Sequence, residues 1–176
     1  MDVLQQFRLD GRVAVATGAS SGLGARFATV LAAAGANLVL AARRTDRLDE
    51  TAAHIERLGR RVFTVTADVS NPQDCETVAR TAREQLGRLD VLINNAGIGS
   101  ARPALRESPE QFRAVLDVNL EGAYWMAQES ARRMESGSSI VNIASTLGFI
   151  ASYAPQAAYA ASKAGLIGLT RDLSQQ

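Results

Sequence analysis

Val13-Ala-Val-Ala-Thr-Gly-Ala-Ser-Ser-Gly-Leu-Gly24 is the stretch that decides the fold. Its first part, Val13 to Thr17, is a short apolar run that reads as a buried strand. It passes through a glycine-rich turn into a segment where Leu23, Phe27, Val30, Leu31 and Ala34 recur at helical spacing, ended by Gly35. Strand, glycine-rich turn and helix in that order point backbone N–H groups at whatever fills the turn, and such a place attracts phosphate. Gly18 permits the tight turn, Gly22 lets the backbone approach a ligand, and Gly24 lets the helix lie close to the strand. The candidate cradle is Gly18, Ser20, Ser21, Gly22, Leu23 and Gly24. A P-loop is excluded because no Gly-Lys-Ser/Thr follows.

Outward from this stretch, apolar runs alternate with helical segments, the pattern of a parallel sheet covered on both faces. Further strands are expected at Asn37 to Ala41, Val62 to Ala67, Val91 to Asn94 and Ser139 to Ala144. A polar helix is expected from Arg44 to Leu58. Ser70-Asn-Pro-Gln-Asp and Ser108-Pro-Glu-Gln open two more with cap residues and an early proline. The fold class is therefore α/β, a Rossmann-type doubly wound parallel sheet with helices on both faces. No linker, low-complexity tract or repeat interrupts residues 1–176, so one nucleotide-binding domain is the economical reading. The last helical segment, from about Pro155, stops at Gln176 without a following strand, which would leave the fifth strand as an apolar edge. The expectation is a sheet cut short after that helix, with C-terminal strands absent.

Composition narrows the partners. The chain is 47% hydrophobic and 21% charged with a net charge of +1, and no block of like charge offers a track for nucleic acid or a patch for lipid. One cysteine, Cys75, and one histidine, His54, argue against a disulfide framework and a zinc site. The opening Met1-Asp-Val-Leu-Gln-Gln-Phe-Arg has no apolar signal core and no run is long enough to span a bilayer, so the cytoplasm is the default. Of 19 basic residues, the only lysine is Lys163. A coding bias toward arginine together with chance is one explanation of this single lysine. The other is a requirement for a compact ammonium at this place, which a planar guanidinium cannot replace.

Lys163 closes the motif Tyr159-Ala-Ala-Ser-Lys163, and residues four apart share a helix face. A neighbouring ammonium favours the phenolate and so brings a tyrosine toward general acid/base use. Ser145 stands at the carboxyl end of the fifth strand, where ligands bind in such sheets. Tyr153 has Ala157, not a lysine, four residues on. Asn119, inside an apolar helical stretch, requires a specific hydrogen-bonding partner.

The spacing T-G-x(3)-G-x-G, the run Asn94-Asn-Ala-Gly97, Ser145 and the Tyr159/Lys163 pair together resemble the short-chain dehydrogenase/reductase family, from Leu9-Asp-Gly-Arg to Leu166-Ile-Gly-Leu-Thr. The texture is similar to its gluconate 5-dehydrogenase-like and 3-oxoacyl-carrier-protein reductase-like members. The resemblance implies an NAD(P)-dependent oxidoreductase that moves a hydride between nicotinamide and a carbonyl or secondary alcohol. It implies that Tyr159 transfers the proton, that Ser145 hydrogen-bonds the carbonyl oxygen, that Lys163 holds the nicotinamide ribose, and that Asn119 carries a water linking Lys163 to solvent. It places Asn95, Ala96 and Gly97 beside the cofactor, with Asp68 and Val69 near the adenine. For Asp68, a residue that merely approaches a helix is the competing explanation. Ala42 falls where NAD-binding members carry a carboxylate and Arg43 follows it, which favours NADP(H) while leaving NAD(H) open. The competing explanation is that Arg43 and Arg44 only start a helix, although its dipole disfavours cations there.

Between Ser145 and Tyr159 the chain reads one residue longer than usual, near Ala151 to Gln156. The small-residue helix after Tyr159, with Tyr124, Trp125 and Met126, suggests a homodimer or homotetramer; burial under further chain is the alternative. A different class also stands: a nucleotide-binding or interaction fragment without turnover. A nucleotide-sugar epimerase is disfavoured by the glycine spacing and the length.

Overall fold

The computed structural model describes residues 3–99, 101–151 and 153–176. Met1 and Asp2 of the N-terminal reading, and Ser152 within the longer loop, lie outside the described residues. Five parallel strands form one sheet: β1 (Val13–Thr17), β2 (Asn37–Ala42), β3 (Val62–Thr66), β4 (Val91–Asn94) and β5 (Ser139–Asn142), in the spatial order β3-β2-β1-β4-β5. The order reverses between β1 and β4, and in such sheets the crevice at the carboxyl ends of that pair receives ligands. Strand β2 runs one residue further than expected, while β3 and β5 stop earlier. The pairing direction persists past both early ends, through Ala67 N–H to the Ala42 carbonyl and Ile143 N–H to the Asn94 carbonyl.

Alternation along the strands builds two cores. Val13, Val15, Val39 and Ala41 face α3 (Pro72–Leu86) and α5 (Gly122–Ala131), meeting Val78, Ala82 and Met126. Ala14, Ala16, Leu38 and Leu40 face α1 (Gly22–Ala34) and α2 (Thr45–Arg57), meeting Ala28, Ala32, Leu48 and Ile55. The stripe expected on α1 is only partly the buried one: Gly24, Ala28 and Ala32 go inside, while Leu23 and Val30 are 62% and 53% exposed. Ala14 and Ala16 are short enough for α1 to lie close over the sheet on Gly24, Ala28 and Ala32, and at that distance the bulky residues are left on its flanks.

Helix α3 starts as expected, with Asn71 capping the Gln73 N–H and Pro72 in the first turn. Helix α4 (Pro109–Leu116) opens with the capping box, Ser108 and Gln111 satisfying each other's backbone N–H groups. Between α4 and α5 the rod passes through a π-turn, Asp117–Glu121, whose bonds run i to i+5. Helix α6 (Ala157–Leu173) packs against α4 and this turn, burying Ala158, Ser162, Lys163 and Leu166. At the amino end of the sheet the buried Asp90 ties β4 to β1: its carboxylate accepts from Val13 N–H at 2.9 Å, Arg12 at 2.7 Å and Arg88 at 2.7 and 2.5 Å. No helix among the described residues is long and apolar enough to cross a membrane.

Candidate active site

A cleft of about 390 Å³ lies over the carboxyl ends of β1, β2, β3 and β4, bounded by Gly18, Ser20, Ser21, Leu23, Arg43, Asp68, Val69, Asn95, Ala96 and Gly97. Gly22 and Gly24, beside this row, form the turn itself. Gly18 has φ +64°, and a Cβ there would stand 2.9 Å from the Ala96 Cα; Gly22 has φ +56° and opens to free space. At Gly24 a Cβ would be driven into the Gly18 carbonyl oxygen and the Asn95 amide. Two of the three glycines thus make left-handed turns, and the third marks a close approach of helix to turn. Ser21 stands at the N-cap of α1 but makes no side-chain cap bond, so the first N–H groups of the helix are left for whatever fills the cleft.

Asn94-Asn-Ala-Gly97 anchors the cleft floor. The Thr17 hydroxyl accepts from the N–H groups of Asn95 and Ala96, both at 3.0 Å, and the Asn95 amide donates to the Thr17 carbonyl at 3.0 Å. Asn94 donates to the Ala123 carbonyl and to Asn142, each at 2.9 Å, which fastens β4 to α5 and β5.

At the far end of β2 the two arginines part company. Arg43 lies 3.6 Å from Asp68. Partial burial opposes the charge on Asp68, but hydrogen bonds from Ser70 and the nearby Arg43 more than offset it and hold the carboxyl below its ordinary range. Arg44 instead donates to the hydroxyls of Ser20 at 3.1 Å and Ser21 at 2.7 Å. Sequence reasoning treated Arg44 only as a charge at a helix start. The signal that could have found it is its position: a residue that cannot accept a hydrogen bond occupies the N-cap of α2.

Beyond Ile98 the structure gathers the second group of candidates. Asn119, 1% exposed, accepts from the Ile98 N–H at 2.8 Å and donates to the Ile98 carbonyl at 2.8 Å and to Ser162 at 3.1 Å. The partner its polarity demanded is therefore the loop after β4, clamped to α6. Lys163 is 4% exposed, its Nζ donates to the Ile143 carbonyl at 2.6 Å, and it sits 5.7 Å from the centre of the Tyr159 ring. Burial lowers the pKa of its ammonium from the ordinary lysine value. Gly99 lies flat against the Tyr159 ring, where a Cβ would come within 2.9 Å. Ser145, half-buried, accepts from the Leu147 N–H at 3.2 Å and so keeps its own proton to donate. The turn it opens presses Gly148 onto the backbone of Lys163 and Ala164. Lys163 and Tyr159 are thus brought side by side, Asn119 reaches them through Ser162, and Ser145 is joined to them through Gly148. Tyr153 is fully exposed on the loop before α6.

A glycine turn at the reversal of a doubly wound sheet, with a buried lysine beside a tyrosine beyond it, defines a Rossmann-type α/β protein. Residues 12–176 match the short chain dehydrogenase family, and the chain belongs to that family. It is 33% identical over 99% of its length to 2-dehydro-3-deoxy-D-gluconate 5-dehydrogenase of Escherichia coli, covering 69% of that protein. It is 34% identical over 96% of its length to the 3-oxoacyl-acyl-carrier-protein reductase of Synechocystis, again covering 69%. A crystal structure of a Burkholderia cenocepacia short chain dehydrogenase in complex with NADP superimposes with a TM-score of 0.92 at 37% identity, over 96% of this chain and 69% of that one. The chain spans 65% and 64% of the length of two further curated relatives it matches and 29% of another.

Proposed function

We propose that this chain carries the cofactor-binding and catalytic residues of an NADP(H)-preferring oxidoreductase acting on a carbonyl or secondary alcohol. The observation that carries the reading is Lys163, a buried ammonium fixed at 2.6 Å to the end of β5 and facing the Tyr159 ring. A charge is buried at several kcal/mol of expense only where its place is defined, and here that place is beside a phenol.

The cleft fits a dinucleotide. Its uncapped helix N-terminus and open glycine turn suit a pyrophosphate, and Gly97 and Ile98 lead from it toward Tyr159. When bound, the nicotinamide supplies or accepts the hydride. In the reducing direction Tyr159 gives its phenolic proton to the carbonyl oxygen, which Ser145 meanwhile stabilises by a hydrogen bond aimed at developing alkoxide charge. Lys163 has one donor committed to Ile143 and keeps two for ribose hydroxyls. In the oxidising direction Tyr159 takes the proton back. Asn119, in the π-turn, holds the path by which Lys163 exchanges protons with solvent through a water. The absence of a carboxylate at Ala42 and the two guanidiniums that follow support NADP(H) over NAD(H). We place the chain in the cytoplasm as a single nucleotide-binding domain, and the small-residue face of α6 beside Leu120 and Tyr124 supports self-association.

The test mixes the chain with NADPH and a panel of small ketones and follows the absorbance of the reduced nicotinamide, beside a direct titration of cofactor. Turnover that Tyr159→Phe abolishes, with cofactor binding kept, is the expected result. Turnover retained by Tyr159→Phe refutes the proton-transfer role, and binding without any turnover leaves a nucleotide-binding protein. A monomer in sedimentation at micromolar concentration removes the self-association.

A further inference from the structure

Resting on the oxidoreductase reading above, we infer that the substrate is a ketone, or the matching secondary alcohol, with an apolar body held beside Tyr159 by Leu105, Phe149, Ile150 and Tyr153. Nine large hydrophobic side chains stand exposed among the described residues, and these four are among them. Single exposed side chains scattered over a surface need no explanation, but these four share two loops, residues 98–105 and 146–156, that meet at the acid/base pair. The first loop lays Gly99 against the Tyr159 ring. Three residues on, the Arg102 N–H donates to the Pro155 carbonyl at 2.7 Å and Arg102 bridges to Gln156, which fastens this loop to the second one just before α6. The second loop presses Gly148 onto the backbone of Lys163 and Ala164. Phe149 and Ile150 follow at once, their N–H groups bonded back to the Thr146 carbonyl at 2.9 and 3.0 Å. The exposed apolar side chains are therefore carried on backbone tied to Tyr159, to Lys163 and across the two loops.

These loops offer a substrate little else to hold. Residues 146–156 carry no charged side chain, and residues 98–105 carry one, Arg102. A polyol or sugar acid brings several hydrogen-bonding groups, each of which must leave water and find a partner, and walls of this composition leave most of them unpaired. An apolar body has no such groups to desolvate and covers surface that the four side chains otherwise show to water. Polar recognition is then confined to the carbonyl oxygen, addressed by Ser145 and Tyr159, and selectivity grows with the apolar size of the substrate.

The experiment follows oxidation of NADPH by the folded chain with methyl ethyl, methyl butyl and methyl hexyl ketone, and with dihydroxyacetone as the polar counterpart. Each added methylene should raise kcat/KM roughly 2- to 4-fold, so the hexyl ketone should exceed the ethyl one by roughly 16- to 250-fold, with dihydroxyacetone lowest. Phe149→Ser combined with Ile150→Ser should cut the hexyl-to-ethyl ratio by about 10-fold. Both positions are exposed, so the double variant should keep its cooperative melt. Phe7→Ser, also exposed but on the N-terminal turn, should leave the ratio as in wild type. A wild-type ratio near one, a preference for dihydroxyacetone, or a ratio that the double variant does not move overturns the inference. So does a double variant that dissociates an assembled wild type in sedimentation with the ratio unchanged, which makes the loops an interface between copies. If no ketone is turned over, the oxidoreductase reading itself fails, and saturation-transfer NMR with the same ketones still decides the apolar site: transfer that grows with chain length and is lost in the double variant upholds it, and transfer equal across the series overturns it.

Discussion

Replacing Asn119 with alanine tests whether the site is held together as its hydrogen bonds indicate. The side chain makes three bonds, two to Ile98 and one to Ser162. Ser162 keeps its bond to the Tyr159 carbonyl at 2.7 Å, so the main loss falls on the N–H and carbonyl of Ile98. An orphaned buried polar group costs about 1–3 kcal/mol. Ile98 is half-buried, so water entering the vacated space recovers part of this. The net destabilisation is then about 2–4 kcal/mol, which for a chain of this size lowers the melting temperature by roughly 5–15 °C. Thermal and urea unfolding followed by circular dichroism measure it. Gly99, against the Tyr159 ring, is one residue beyond the released position, so turnover should fall while adenosine bisphosphate binding, at the other end of the cleft, should not. A stability change below about 0.5 kcal/mol, the range of an indifferent surface substitution, would refute the clamp.

Gly24→Ala would push a methyl group into the Gly18 carbonyl, which as backbone cannot step aside; a loss of about 1–3 kcal/mol and a weakened nucleotide titration are expected, and unchanged binding counts against the close approach. For Asp90, burial pushes the carboxyl up, but Arg88, Arg12 and the Val13 N–H more than offset it, and the carboxyl lies below its ordinary value in the folded chain. A depressed folded value means stabilisation that is complete above the unfolded value of about 3.9 and lost as pH falls through the folded one. Asp90→Asn should therefore destabilise by about 2 kcal/mol at neutral pH, with the gap to wild type closing in urea melts below about pH 4; a gap that persists there contradicts the assignment.

Much of this arrangement was legible in the sequence because it depends on local chemistry. Strands β1 and β4 and the Ser108 capping box are set by runs of residues that can do little else, and Tyr159 and Lys163 share a helix face by spacing alone. What escaped depends on distance in space. Periodicity assigned Leu23 and Val30 to the interior of α1, but the close approach that Ala14 and Ala16 allow the helix left room there only for its small residues. The partner of Asn119 was required by its polarity, yet only the fold could name Ile98. The directions of Arg43 and Arg44 were undecidable from a tandem pair, because each depends on what the glycine turn and β3 bring alongside.

The π-turn at Asp117–Glu121 has a consequence for how this scaffold tolerates change. Such a turn carries one residue more than an α-helix of the same span, a surplus stored in the middle of an otherwise regular rod. Removing one residue inside the turn would let it close as ordinary α-helix, and because five residues of the wider turn sweep about the same angle as four of an α-helix, the phase downstream would change little. Ala123, Met126 and Ala127 would stay turned to the interior, and Ala123 would keep the carbonyl it offers Asn94. The same deletion a few residues later, inside α5, has no surplus to absorb it: everything beyond would rotate by about 100° about the axis and carry Ala127 and Ser130 away from the interior.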